Sequence, residues 1–220
     1  LPALGSGLIV SLNVALLSLL FASIIGFLVA IAKLSKVKII RFIATSYTVM
    51  VRGVPDLVMM FLIFYGGQII VNNITLYLGL DYFDIDAFYA GVFTLSFIFG
   101  AFMAETFRAS ILALDKQQLE TAYAFGMTKT QVKFRILIPQ MLLHALPSFT
   151  NNWLVLIKST AILSIIGLHD MIFVSNLASR STHQPFIFYF LVSLAYLLIT
   201  WLSIKSIRKI EDHYNMSHQV

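Results

Sequence analysis

The sequence contains no cysteine. Disulfides, thiolate metal sites and cysteine nucleophiles are therefore excluded, and the redox compartment stays open. Charge is also scarce. Only 11% of the residues are Asp, Glu, Lys or Arg, against about a quarter in a soluble domain. Catalytic signatures are missing too. "GMTKT" at Gly126 lacks the Gly-x-x-x-x-Gly-Lys spacing of a phosphate loop, so the chain has no evident means of hydrolysing ATP. No His-Glu-x-x-His or Gly-x-Ser-x-Gly occurs, and His144, His169, His183, His213 and His218 are scattered. An enzyme reading would need a clustered catalytic set near one interface. No internal repeat or low-complexity run is present. A cleavable signal peptide is not expected, because the chain opens without a basic n-region.

What fills the sequence instead is apolar. Hydrophobic residues make up 59%, with 19 phenylalanines, and the mean hydropathy is +0.89. Such residues are inexpensive in hydrocarbon. The expectation is one integral membrane domain spanning 1–220. The net charge of +5 then bears on which side of the membrane the cations face, and no nucleic-acid partner is expected.

Five apolar segments stand out, at about 7–32, 55–71, 87–104, 147–167 and 186–203. Each holds about 17 to 26 residues, enough for a helix to cross a hydrocarbon core about 30 Å thick. Their continuity favours helices over barrel strands. Basic residues alternate between the connections. Lys33, Lys36, Lys38 and Arg41 follow the first segment. The second is followed by Asp81, Asp84 and Asp86 with no cation. Lys116, Lys129, Lys133 and Arg135 follow the third, Arg180 alone the fourth, and Lys205, Arg208 and Lys209 the fifth. This predicts a multi-pass chain with its N-terminus outside and its C-terminus in the cytoplasm.

The connection at about 115–139 is too long for a tight turn. Lys116 to Phe125 is rich in helix formers, Gly126 suits a left-handed stop, and Thr128 or Thr130 can cap a second short helix. Pro139 stops that helix or begins the next span. The segment reads either as a docking element for a soluble partner or as an amphipathic helix on anionic lipid.

Polar groups within or beside the bilayer are the site candidates, because they are costly there. Lys158 lies inside the fourth segment, and Asn151 shares its helix face at i+7; Asn152 is adjacent. Asp170 sits just past the outer end. Glu105 and Arg108 are three apart and can pair with each other. Arg52 and Asp56 flank Gly53 and Pro55, a predicted helix break that would free backbone groups for a polar ligand. A structural ion pair or a snorkelling side chain is the plainer reading of Arg52, Glu105 and Arg108. Ser11, Ser18, Ser23 and Gly26 predict close helix packing.

These residues carry a resemblance. Glu120-Thr121-Ala122, then Gly126, then "ILIP" at 136–139 resembles the Glu-Ala-Ala-x-x-x-Gly motif of permease subunits of ATP-driven (ABC) importers, with Thr121 in place of the usual alanine. "RGVPDLV" at 52–58, "AETFRAS" at 104–110, "LPSFTNNWLVLIKSTAILSIIGLHDM" at 146–171 and "HQPFIFY" at 183–189 look like signatures of the polar amino acid branch, in order along nearly the whole chain. "RGVPDLVMMFLIFYG" and "LGLDYFDIDAFYAG" are similar to a permease subunit of histidine/lysine/arginine/ornithine importers.

The resemblance implies an all-α membrane protein: five transmembrane helices of the type I importer permease fold, with a cytoplasmic coupling helix between the third and fourth. It implies a non-catalytic translocation subunit in a bacterial inner membrane that moves polar, cationic amino acids by alternating access. The implied partners are two copies of a cytoplasmic ATP-binding subunit, a second permease subunit, an extracytoplasmic binding protein and membrane lipid. No cofactor is implied in this chain; ATP and Mg would be bound by the ATPase. Glu120, Thr121, Ala122 and Gly126 carry over as coupling residues. For the substrate pathway the expected residues are Asp170, Lys158, Asn152, Asn151, Asp56 and Glu105. Asp170 would supply negative charge to a cationic side chain, and the Asn151–Asn152–Lys158 region would orient the ligand. The competing expectation is a stand-alone secondary transporter or channel, which would work without ATP and commonly carries internal repeats.

Overall fold

A computed structural model describes residues 2–216. Nine α-helices follow in order among these residues: α1 (Pro2–Lys33), α2 (Lys38–Gly53), α3 (Asp56–Tyr77), α4 (Ala87–Leu112), α5 (Lys116–Ala124), α6 (Lys129–Val132), α7 (Ile138–Ser159), α8 (Met171–Thr182) and α9 (Pro185–Met216). A π-helical stretch, Lys133–Leu137, joins α6 to α7, and a 3-10 stretch, Thr160–Ile166, continues α7. Five helical runs are long and apolar enough to cross a membrane: α1, α3, α4, the continuous run Lys129–Ile166, and α9 as far as Lys209. His218 lies outside the described residues.

The centre of the molecule is α4, packed chiefly against α1. In α1 the buried positions are Gly7, Ser11, Val14, Ala15, Ser18, Ala22, Gly26 and Ala30. This stripe of small side chains recurs every three or four residues, so the backbones can come close. A Cβ at Gly26 would lie 2.4 Å from the Cβ of Met103 and 2.9 Å from the backbone nitrogen of Ala104. The Ser18 hydroxyl donates across the contact to the Val92 carbonyl at 3.4 Å. Helix α7 also packs on α4, while α3 and α9 each fully bury one side chain among those described, Met60 and Val192.

Three features depart from the sequence expectation. The connection after the first span contains a full helix, α2. It is amphipathic, with Ala44, Thr48 and Val51 buried against α1 and α4. The connection after the fourth span contains α8, whose buried Met171, Ser175 and Ser179 are spaced by four residues. The backbone at Gly7 rests against Asp170 and Met171, where a Cβ would meet atoms at 2.8 Å. The fourth span begins well before Pro147. Pro139 sits in the first turn of α7, where its missing N–H costs nothing, and Pro147 lies inside the helix without ending it.

The acidic loop before α4 is fastened by Gln68 of α3, which donates to the Phe83 carbonyl at 2.5 Å and accepts from the Ile85 N–H at 2.9 Å. Asp86 then caps α4, accepting from the N–H groups of Phe88 and Tyr89.

Because nothing at the α1–α4 contact can yield without moving backbone, Gly26→Val should cost about 1–3 kcal/mol or more. Thermal unfolding of the purified protein in detergent should show the loss. Gly5→Val, at a glycine with open space around it, should leave the midpoint unchanged.

Candidate functional site

Two polar centres and one polar segment hold the expected residues. The first centre lies at the basic end of α1 and α4. Lys33, the last residue of α1, donates to Glu105 of α4 and to the Thr48 hydroxyl of α2 at 2.6 Å. Arg108 donates to the other carboxylate oxygen at 3.1 Å, as the i+3 spacing predicts. Arg52 lies 4.0 Å from Glu105 and stacks 5.5 Å over the Phe102 ring. One carboxylate therefore gathers three cations from three helices. The Lys33 side chain is only 8% exposed, so the pairing accounts for its charge. Asp56, expected at the helix break and in the substrate pathway, opens α3 immediately after the break at Val54–Pro55 and is half-buried.

The second centre lies where α7 becomes 3-10. Lys158 occupies the last turn of α7 and is exposed, in line with Val155 and Asn151. It lines a cavity of about 520 Å³ with Ile172 of α8 and Ser193, Tyr196 and Thr200 of α9. Tyr196 shares a 3.4 Å hydrogen bond with Thr160. Asn152 turns the other way: its amide donates to Thr106 of α4 at 3.0 Å and approaches the Met103 sulfur at 3.7 Å. Asn151 and Asn152 thus serve different faces, one open and one packed.

Asp170 is fully buried. Its Oδ1 accepts from the Phe173 N–H at 2.8 Å and caps α8, while Oδ2 has no hydrogen-bond partner. Burial pushes this carboxyl up to about 6, opposed by backbone N–H groups that favour the anion. In this conformation the residue supports α8 under α1 and lies outside the Lys158 cavity lining.

The polar segment has the predicted punctuation. Asp115 caps α5 through the Gln117 N–H at 2.9 Å. Gly126 has φ +78°, a left-handed value that favours glycine. Thr128 and Gln131 form a reciprocal capping box at the start of α6. Glu120 and Thr121 are exposed, whereas Ala122 is buried. Gln140 of α7 donates to Gln118 at 2.8 Å and braces the segment. Phe125, 84% exposed, and Phe134, 62% exposed, stand out beside Lys129, Lys133 and Arg135.

Sequence reasoning missed Lys33 as a partner of Glu105, and Thr48 as the acceptor that shares Lys33 with it. It also missed Ser193, Tyr196 and Thr200, although i, i+3, i+7 polar positions within the apolar run "SLAYLLIT" are a readable stripe. Among the described residues no group of His, Asp and Glu could hold a metal ion.

Two outcomes follow. Glu105→Gln leaves Lys33 without its counter-charge and should cost about 2–4 kcal/mol; Lys33→Met added to it should recover most of the loss in thermal unfolding. At Asp170 the folded pKa lies above the unfolded value near 3.9. Its stabilising contribution is thus complete below about pH 4 and is lost as pH rises through about 6. Asp170→Asn keeps a cap acceptor and should flatten the stability profile between those values.

Comparisons with known proteins identify the family and the fold. The family model described as binding-protein-dependent transport system inner membrane component matches residues 22–211. The permease protein HisQ of a histidine/lysine/arginine/ornithine transport system from Salmonella typhimurium is 45% identical over 96% of this chain and 92% of its own length. The arginine ABC transporter permease ArtQ of Haemophilus influenzae is 35% identical over 92% of this chain and 89% of its own. A crystal structure of an amino acid ABC transporter with histidines superposes with a TM-score of 0.82 at 32% identity, covering 96% of this chain and 94% of that one. An inward-facing MetNI methionine transporter shares the fold, with a TM-score of 0.73 at 16% identity over 96% and 95%. The chain belongs to the family of inner membrane components of binding-protein-dependent transport systems.

Proposed function

We propose that this chain is the permease subunit of an ATP-driven importer of cationic amino acids, placed in a bacterial inner membrane with its N-terminus outside and its C-terminus in the cytoplasm. The single observation that carries the reading is the built polar segment between the third and fourth spans. Its capped short helices, left-handed Gly126 and exposed Phe125 suit insertion into a cleft of a soluble protein better than a flat lipid surface. Two ATP-binding subunits would each receive such a segment, one from this chain and one from a second permease subunit, and would supply ATP and Mg. Glu120, Thr121, Ala122 and Gly126 would transmit closure of the ATPase pair to α4 and α7, which flank the segment. An extracytoplasmic binding protein would deliver the amino acid.

The substrate pathway would run along the open face of α7 and α9. Lys158 would receive the amino acid carboxylate in the cavity that Ser193, Tyr196 and Thr200 line, and Asn151 would continue the polar face. Asn152 would act through its bond to Thr106, holding α7 on α4. Asp56 and Glu105 would contribute near the basic end. The cationic side chain needs negative charge, and Asp170, with its unpartnered Oδ2, is the group for that role once α1 and α8 separate. Cationic substrates follow from the relatives' named substrates together with this charge set.

The test reconstitutes the chain with its ATP-binding subunits and binding protein. Wild type should retain the ATPase through purification, and Gly126→Trp should lose it or abolish coupling. Lys158→Met should retain the ATPase yet lower arginine uptake more than tenfold. ATP-independent uptake by the chain alone would overturn the reading in favour of a secondary transporter. Unchanged uptake in Lys158→Met would remove Lys158 from the pathway.

A further inference from the structure

The role proposed for the coupling segment leaves α2 unused, although it carries the strongest division of faces in the molecule. It joins two membrane-crossing helices on the basic side of the bundle. Its 16 residues reach only about 24 Å, and it is not among the runs apolar enough to cross. The Tyr47 hydroxyl donates to the Phe97 carbonyl of α4 at 2.6 Å, and Thr48 accepts from Lys33 at 2.6 Å. These bonds fasten the Tyr47–Thr48 turn of α2 to the last residue of α1 and to Phe97 within α4.

Three sectors then run along the helix. Ala44, Thr48 and Val51 are buried against the bundle. Ile39, Phe42, Ile43, Val49 and Met50 face outward, each at least 63% exposed. Lys38, Arg41, Thr45 and Arg52 fall at i, i+3, i+7 and i+14 and form one polar edge between those two faces. No Asp or Glu occurs from Lys33 to Pro55. Lys33 is spent on Glu105, and Arg52 lies over Phe102 next to it. Lys36, Lys38 and Arg41 are exposed and pair with no carboxylate among the described residues.

We infer that α2 is an interfacial helix that selects anionic phospholipid on the basic side of the membrane, with Lys36, Lys38 and Arg41 holding headgroup phosphates and Ile39, Phe42 and Ile43 set among the acyl chains. The charge complementarity names the occupant. An apolar face alone would accept any lipid or a second protein. An apolar face bordered by cations with no acid among them gains about one kcal/mol of attraction to an anionic leaflet for each Lys or Arg, or about fivefold in affinity. Since α2 is bonded to the end of α1 and rests beside Glu105, lipid charge is placed against the helix that leads directly into α5.

The test places a reporter in the apolar face. Phe42→Trp is introduced into the chain in its purified membrane complex, and the added fluorescence is taken against the same complex without it. Nanodiscs are made with dibrominated phosphatidylglycerol or dibrominated phosphatidylcholine at equal fraction. The anionic lipid should quench the added tryptophan preferentially. Lys38→Gln with Arg41→Gln should reduce the preference by about fivefold for each cation removed, and Lys38→Arg with Arg41→Lys should keep it. Inorganic phosphate at tens of millimolar should not displace the lipid. Equal quenching by both lipids overturns the inference, leaving α2 in unselected lipid. Absence of quenching by either also overturns it and assigns the face to a protein neighbour. Displacement by inorganic phosphate would reassign the cations to a free-anion site. The first comparison uses intact Lys38 and Arg41, so it decides the matter even if the double glutamine variant fails to assemble.

Discussion

The close approach of α1 and α4 is the constraint on which the other parts depend. Helices in lipid gain little from apolar association as such, because the surrounding chains are equally apolar. Contact therefore relies on packing, and packing on small side chains. Gly26 against Met103 and Ala104 brings the two backbones together. That approach sets Lys33 opposite Glu105. It also aligns Ser18 with Val92 and brings Gly7 against the α8 cap. A bulkier stripe would separate these polar pairs as well as the apolar ones.

Around this pair the chain is uneven in a way that suits a moving part. Helix α4 is largely buried, whereas α3 and α9 fully bury one side chain each among those described, Met60 and Val192. The polar groups follow the same division. Glu105, Asn152 and Asp170 are held by partners within the bundle, while Lys158 and Asn151 remain on an open face. A switch between two arrangements requires elements with few fixed contacts next to elements with many.

Much of this was legible in the sequence, for physical reasons that can be named. Continuous apolar runs marked five spans because lipid forces the backbone to satisfy itself within each helix. Gly126 marked the turn after α5 because its left-handed φ suits glycine, and Thr128 or Thr130 offered a capping hydroxyl for α6, of which Thr128 is the one used. The i+3 spacing of Glu105 and Arg108 marked their pair. Helix α2 was hidden because its polar edge reads as a basic loop, and α8 because two of its three buried residues, Ser175 and Ser179, are serines, which no apolar period reveals. Lys33 was legible as a loop cation marking sidedness, but its bond to Glu105 spans 72 residues, a distance no local pattern encodes. Asp170 was legible as a charge and illegible as a cap, since capping depends on where α8 begins.

The central claim is that the polar interruption meets the ATP-binding subunits. The sequence has no cysteine among its 220 residues, so a cysteine introduced there is a single reporter within them. Phe125→Cys, on the interruption, and Tyr77→Cys, at the far end of α3, are each 84% and 90% exposed as the native side chain. With a short maleimide–succinimidyl reagent, Phe125→Cys should cross-link to the ATP-binding subunit and Tyr77→Cys should not. Cross-linking from Tyr77→Cys alone, or from neither position in an assembled complex, would contradict the account.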